Sequence, residues 1–387
     1  MKHLLFLSRH FGQGGAERQL IALVKALDKS QYHITVAPFY DGGHLSSLVS
    51  QDRDITWSPL RKQGRWDLMT FLWRLWRTVR AASPDVCIGY MDIPNIAALV
   101  AGRLVGAKVV WGVRNSTQAI GNAPILGRFA FWLMGQLSAH PDLIIFNSEA
   151  GRRYYQGHGF ARGRSVVIPN GIDTDYFSPL DGRSSLRECW GLANGELVLG
   201  LVGRADPMKG HAVFLAAAAR LANQYPHLRF VCAGMDAGDY HDHMRSLART
   251  LGVHDRMIWV GPMQDMPLLY RAMDVLVLAS GYGEGFPNVV GEAMACGVPC
   301  IATDVGDSAM IIDDTGIIVE PGSAERLAEG MAQLVERLAQ EGSPMRVAAR
   351  MRIVNHFSVT ALVNRTLEAF REFGVLTDCA NRAMEGR

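Results

Sequence analysis

The sequence predicts an α/β protein of two domains, each a parallel sheet covered by helices. Three observations lead there. The chain has 387 residues, about the length of two domains of ordinary size. Short apolar, β-branched runs alternate with helical stretches from end to end, which is the pattern of strand–helix–strand units. A turn-rich segment, RSVVIPNGIDTDYFSP, with Pro169, Asn170, Gly171 and Pro179, separates one set of runs from the other.

In order along the chain, KHLLFLS, HITVAPF, DVCIGYM, AKVVWGV and DLIIFNS read as strands of a first sheet. GELVLGLVGR, LRFVCAG, MIWVGP, DVLVLAS and VPCIAT read as strands of a second. The boundary falls near Asp175, giving Rossmann-like domains over 1–175 and 176–356. HFSVTALVNRTLEAFREF, with apolar residues at helical spacing, adds a helix beyond the last strand. Ligands of open parallel sheets bind beyond the carboxyl ends of the strands, so two such domains are expected to face a central cleft.

Composition narrows the function. Hydrophobic residues make up 49% and charged residues 20%, with no low-complexity stretch, so the whole chain should fold. A formal charge of +2, from 39 basic and 37 acidic residues, argues against nucleic acid as a partner. The first apolar run, Leu4 to Leu7, is too short for a signal-peptide core. Arg103 and Lys108 interrupt IAALVAGRLVGAKVVW, so it falls short of a membrane span and a cytoplasmic protein is expected. Cys87, Cys189, Cys232, Cys296, Cys300 and Cys379 form no C-x-x-C pair, and buried thiols are the simpler reading than a metal site.

The segment ASGYGEGFPNVVGEAMACGVP carries the most chemistry. A strand ends there at a glycine-rich loop, and Pro287 suits a first helical position because it has no amide proton to leave unpaired. The amides of Asn288 and Val289, together with the helix dipole, then favour a phosphate in front of the helix. Glu284 lies in the loop and Glu292 about one turn into the helix, so one carboxylate can face a sugar while the other faces a ribose.

The Glu284 and Glu292 spacing, E-x7-E within EGFPNVVGEAMACGVP, resembles the signature of the large retaining glycosyltransferase family, glycosyl transferases group 1. That family includes sucrose, lipopolysaccharide and phosphatidylinositol-mannose synthesising enzymes and has the GT-B fold. VGRADPMKG places Arg204 and Lys209 where the family holds the donor diphosphate, at a strand end where both cations face one crevice. GQGGAER resembles its glycine-rich loop, with Gly14 and Gly15 allowing close backbone approach, and VIPNGID resembles its interdomain segment. The likeness runs from about residue 4 to about 372, and implies that the terminal helix, about 357–387, crosses back to the first domain. Gly285, Phe286, Pro287, Asn288 and Val289 complete the expected donor set. One departure stands out: Arg114, with Asn115, ends AKVVWGV where many family members have a histidine touching the donor sugar. Arg114 and Asn115 are therefore candidate acceptor or sugar contacts, with an anionic acceptor or a structural cap as open alternatives.

Three other patterns carry less. GQGGAER lacks the third glycine of a dinucleotide fingerprint, because position 17 is Glu17. Asp173-Thr-Asp175 imitates a D-x-D metal motif but follows an Asn-Gly turn in the linker. His241 and His243 fit a solvated helix start better than a metal site.

The resemblance implies a metal-independent, cofactor-free retaining hexosyl- or N-acetylhexosaminyl-transferase of bacterial polysaccharide or glycolipid type. Its donor is a nucleoside-diphosphate sugar, uridine diphosphate by family habit, and its acceptor a hydroxyl of a glycan or lipid-linked glycan. Arg204, Lys209 and the helix amides would stabilise the leaving diphosphate, with Glu284 on the sugar and Glu292 on the ribose. A nucleotide-sugar epimerase or hydrolase, or a non-catalytic nucleotide-sugar-binding subunit, remains the alternative on this fold. Between 61 and 80, Arg61, Lys62, Arg65, Arg74, Arg77 and Arg80 face the single acid Asp67. If this stretch is helical, Leu68, Leu72, Leu75, Trp76 and Val79 form the packed face and Trp66, Thr70, Trp73, Arg77 and Arg80 the outer one. That outer face suits either peripheral docking on an anionic membrane surface, the inner face of the membrane, or plain solvation.

Overall fold

The computed structural model describes residues 1–12, 14–64, 66–114, 125–179 and 185–376. Asn115 and Arg65 lie outside the described residues. The chain forms two compact units, Met1–Gly171 with Val359–Arg387, and Ile172–Ser358.

The first unit holds a seven-stranded parallel sheet: β1 (Lys2–Ser8), β2 (Tyr32–Pro38), β3 (Ile55–Trp57), β4 (Val86–Tyr90), β5 (Lys108–Val113), β6 (Leu143–Phe146) and β7 (Ser165–Val167). Their spatial order is β3-β2-β1-β4-β5-β6-β7. The second unit holds β8 (Leu197–Val202), β9 (Leu228–Ala233), β10 (Met257–Val260), β11 (Val275–Leu278), β12 (Cys300–Thr303) and β13 (Ile317–Val319), ordered β10-β9-β8-β11-β12-β13. Both orders are the doubly wound 3-2-1-4-5-6 arrangement, with the extra β7 on the first sheet. Two Rossmann-like parallel-sheet domains are therefore present, as the GT-B resemblance implies.

Each sheet is buried on both faces, which is why its strands read as near-continuous apolar runs. Side-chain alternation sends Leu4, Phe6, Ile34, Ile88 and Val110 into one core of the first unit. Leu5, Leu7, Val109, Trp111 and Phe146 enter the other. Helix Val359–Glu372 belongs to the first unit, where Leu362, Val363 and Phe370 share a core with Leu20, Ile21 and Val24 of helix Gly15–Ala26. Gly171 permits this packing, because a Cβ there would lie 2.9 Å from Leu362. Buried Gln19 holds the same glycine by hydrogen bonds to its N–H and its carbonyl, both 2.8 Å.

Ten strands were legible; β3, β7 and β13 were not. Each has three residues and each stands at a sheet edge. Three residues are too few to display a period, and β7 sits inside the stretch whose prolines and glycine read as linker.

Helix Leu68–Ala82 forms, but its buried face is Phe71, Leu75 and Val79, with Phe71 edge-on to Phe39 at 4.7 Å. Leu68, Leu72 and Trp76, expected in the packed face, are 54%, 44% and 40% exposed. The helix carries more apolar residues than one stripe can bury, and the stripe that faces Phe39, with Phe71 at its centre, is the one buried.

Candidate functional site

In a doubly wound sheet the ligand crevice lies at the carboxyl ends of the strands where the order reverses, here between β8 and β11. The loops leaving those two strands contain the predicted donor residues.

After β8 the chain runs through Gly203 and Arg204 to a 3-10 turn, Pro207–Lys209. Asp206 caps that turn by accepting the Met208 N–H at 3.0 Å. Gly210 then turns the chain into helix His211–Ala222 with φ +70°, where a Cβ would stand 1.9 Å from the Ala279 carbonyl oxygen. Only glycine allows the first loop to press against the start of the second. The contact is sealed by the Gly281 N–H, which donates to the Met208 carbonyl at 2.9 Å.

The loop after β11 is held at several points. Thr303, at the end of β12, donates its hydroxyl to the Ser280 carbonyl at 2.7 Å. Ser280 in turn donates its hydroxyl to Glu284 Oε1 at 2.7 Å. Asp307 donates its N–H to the Gly285 carbonyl at 2.8 Å, and Gly306 (φ +66°) lies so close that a Cβ would meet Gly285 O at 2.6 Å. Lys209 Nζ reaches Glu284 Oε1 at 2.7 Å, with the two side chains 15% and 9% exposed. The ammonium and carboxylate that sequence places 75 positions apart thus form one ion pair across the switch point. Arg204, by contrast, leaves its side chain 80% exposed, 3.7 Å from Asp206.

Helix Asn288–Ala295 follows, with Pro287 as the flanking cap rather than the first helical residue, at φ −72° and ψ 97°. A ψ of that value is extended, so the helix opens one residue later than the sequence suggests. Gly297 (φ +76°) ends it. The Phe286 side chain is buried in the core beside Phe357, ring centroids 5.6 Å apart, which leaves its backbone for any ligand. Glu292 accepts a hydrogen bond at 2.7 Å from the hydroxyl of Tyr270, a fully buried residue of helix Met266–Arg271. Burial, with the Glu292 carboxylate second, pushes the Tyr270 phenol well above its ordinary pKa, so it remains a donor. Tyr270, Ser280, Thr303 and Gly306 were not singled out from sequence. Each acts through a carboxylate or backbone atom of another segment, and sequence spacing carries no trace of that.

In the first unit Gly14 flanks helix Gly15–Ala26, and a Cβ on it would meet the Glu17 carboxylate at 2.2 Å. Glu17 lies 3.2 Å from His10 Nδ1. Arg114 follows β5, donates Nη1 to Asn170 Oδ1 at 3.1 Å, and stacks over the Tyr90 ring at 4.9 Å. Asp173 accepts the N–H groups of Asp175 (3.2 Å) and Tyr176 (3.0 Å), as a turn-forming aspartate does. Among the described residues no group of three or more His, Cys, Asp or Glu is arranged to hold a metal ion.

Two family models match the chain, Glycosyltransferase Family 4 over residues 13–176 and Glycosyl transferases group 1 over residues 196–337. D-inositol 3-phosphate glycosyltransferase 2 of Catenulispora acidiphila is 31% identical over 327 residues, 76% of this chain and 75% of the relative. D-inositol 3-phosphate glycosyltransferase of Mycolicibacterium smegmatis is 30% identical over 239 residues, 60% of this chain, and the match spans only 54% of that relative's length. Among solved structures, Anabaena HepE in complex with UDP superposes with a TM-score of 0.83 at 22% identity, covering 96% of this chain and all (100%) of that one. Sucrose-phosphate synthase from Thermosynechococcus elongatus gives 0.76 at 19% identity, covering 97% and 100%.

Proposed function

The chain belongs to the glycosyl transferases group 1 family, and from that premise we propose that it moves a sugar from a uridine-diphosphate sugar to a hydroxyl of a glycan or lipid-linked acceptor. The observation that carries this reading is the Lys209–Glu284 ion pair at the switch point of the second sheet, 2.7 Å across two strand-end loops. In this reading the two groups stand where the diphosphate and its sugar would meet, and Glu292 lies one turn into the following helix. That Anabaena HepE was solved with UDP supports the choice of base.

In the proposed reaction the bond from the sugar's anomeric carbon to the donor phosphate oxygen breaks, and a bond to the acceptor oxygen forms on the same face. The acceptor's proton passes to the departing phosphate oxygen. Lys209 moves from Glu284 onto that phosphate as negative charge develops, and exposed Arg204 closes on it. Glu284, released from the ammonium but still held by Ser280, orients the sugar hydroxyls, and Glu292 holds the ribose. No metal ion is required by this arrangement, because two cations and a helix N-terminus supply the charge.

Thermal shift of the full chain with nucleoside diphosphates and their sugars is the direct test, since a ligand selective for the folded state raises Tm. A selective rise with UDP, undiminished by EDTA, supports the reading. No rise with any nucleotide overturns it, and a rise abolished by EDTA overturns metal independence.

A lipid-linked acceptor is favoured by one further observation. Trp66, Met69 and Trp73 at helix Leu68–Ala82 are 87%, 79% and 53% exposed. Arg77 and Arg80 stack on Trp73 and Trp76 at 5.3 and 5.0 Å. Exposed tryptophan paired with arginine suits an anionic headgroup layer. Among the described residues no helix is long and apolar enough to cross a membrane, so docking would be peripheral. The expected result is sedimentation with anionic but not neutral liposomes, weakened by salt and by the triple variant Trp73→Ala, Arg77→Glu, Arg80→Glu. Sedimentation with neither kind removes membrane docking and leaves the transfer reading intact.

A further inference from the structure

The first unit has its own switch point, between β1 and β4, and its polar side chains are arranged unlike those of the second. Parallel registers pair Leu7 with Gly89, Tyr90 with Gly112, and Val113 with Phe146. One step further along, Ser8 stands beside Tyr90 and Arg114 beside Asn147. Alternation puts all four side chains on the sheet face that Phe6, Ile88, Val110 and Ile145 share. Gly112 clears the space between them, because a Cβ there would lie 3.1 Å from the Tyr90 ring.

Ser8, Tyr90 and Asn147 are 4%, 3% and 5% exposed. Ser8 Oγ, Tyr90 OH, Arg114 Nε and Asn147 Oδ1 are all buried without a hydrogen-bond partner among the described residues. Burying a polar atom unpaired is costly, so folded proteins leave few of them, and here four fall in one row. The row is donor-rich. The serine and tyrosine hydroxyls and the guanidinium N–H can all donate, against a single amide oxygen able only to accept. The guanidinium is permanently charged, and among the described residues it has no carboxylate in ion-pair contact, only Asn170 and the Tyr90 ring.

We infer that Ser8, Tyr90 and Arg114, flanked by Asn147, form an anion subsite, which takes a phosphate or carboxylate group of the substrate distinct from the donor diphosphate. An acceptor-rich, negatively charged group satisfies the three donors and the uncompensated charge together. Burial raises the Tyr90 phenol while Arg114 pulls it back, so the hydroxyl stays protonated and able to donate. The inference rests on the glycosyltransferase reading for what the anion belongs to, either the acceptor or the transferred sugar.

Calorimetric titration of the full chain with inorganic phosphate, in the absence and presence of saturating UDP, tests it. Phosphate should bind in both conditions. Arg114→Gln should weaken phosphate on the order of tenfold, and Arg114→Lys less, while UDP affinity is unchanged. If Arg114→Gln does not fold, Tyr90→Phe should still weaken phosphate by about threefold. Two further arms separate the sources. Arg114-dependent binding of glucose 6-phosphate beside UDP assigns the anion to the acceptor. A preference for UDP-glucuronic acid over UDP-glucose that Arg114→Gln erases assigns it to the donor sugar. Phosphate binding that UDP abolishes, or that Arg114→Gln and Tyr90→Phe leave unchanged, overturns the subsite. Failure of UDP itself to bind would overturn the donor reading and leave the phosphate result standing.

Discussion

The two units share a strand order and differ in what they do with polar groups at the switch point. In the second, the polar groups are paired with one another: Lys209 with Glu284, Ser280 with Glu284, Thr303 with the Ser280 carbonyl, Tyr270 with Glu292. In the first, four buried polar atoms at the corresponding strand ends have no partner among the described residues. A paired site is preorganised and must give up an internal contact to bind, so its ligand replaces one electrostatic partner with another. For an unpaired row, the proposed anion would offset the cost of desolvating its polar atoms. The same backbone plan therefore supports self-paired strand-end loops in the second unit and, among the described residues, an unpaired strand-end row in the first.

The largest test of this contrast is on the ion pair. Removing one member should both deprive the reaction of its charge and leave the other partly buried and unpaired. Glu284→Gln and Lys209→Ala are each expected to cost on the order of a hundredfold to a thousandfold in kcat at saturating donor, and Arg204→Ala about a hundredfold. The double variant should lose much less than the product of the single losses, because the two groups act as a unit. Near-normal turnover in both single variants would place the diphosphate elsewhere and dissolve the comparison.

The second unit is not paired throughout: buried side-chain atoms of Arg187, His211, His254 and Trp259 have no partner among the described residues. His211, fully buried at the start of helix His211–Ala222, has Nε2 unpaired and Nδ1 3.4 Å from the Tyr240 hydroxyl. Burial lowers its pKa from 6.5 to about 4. The folded state therefore keeps the ring neutral where the unfolded chain protonates it, so the unfolded state binds more protons between those values. Its share of stability is intact above pH 6.5 and is lost as the pH falls toward 4, by at most about 3 kcal/mol. Urea midpoints at pH 7, 5.5 and 4.5 should fall less steeply for His211→Gln than for the wild type, although the variant starts lower at pH 7. Equal slopes would show that His211 charges inside the fold.

The contrast also explains what the sequence could and could not disclose. Long central strands such as KHLLFLS and GELVLGLVGR announce the fold, because burial on both faces demands continuous apolar runs. The edge strands ITW, SVV and IIV do not, since three residues show no period. Glu284, Arg204 and Lys209 stand out because strand, loop and helix signals place them at strand ends, in segments that resemble the family's motifs. Their pairing partners do not, because a hydroxyl such as Ser280 or Thr303 is common in any loop or strand. The rotation of helix Leu68–Ala82 was misjudged for a related reason: its apolar residues fill two adjoining stripes, and only the facing Phe39 decides which is buried.

The smallest expected effect belongs to Tyr270, and it is the sharpest test of whether pairing in the second unit serves binding or only packing. The phenol is buried in the core and its single polar atom is spent on Glu292 Oε2, at 2.7 Å. Tyr270→Phe keeps the ring and removes only that bond. A purely structural role predicts a lower Tm with unchanged kinetics. A positioning role predicts that Glu292 swings more freely, so the donor KM rises by about five- to tenfold, the size of one lost hydrogen bond to a charged group, while kcat stays within about twofold. Because the ribose is remote from the bond that breaks, its loss of grip should weaken ground state and transition state alike. The 2′-deoxy donor nucleotide sharpens the reading further. If Glu292 grips the ribose hydroxyls and Tyr270 holds Glu292, the wild type should discriminate against the deoxy donor and Tyr270→Phe should discriminate less. Unchanged discrimination with a raised KM would detach Tyr270 from the ribose and leave it as a core residue whose hydroxyl merely needs a partner.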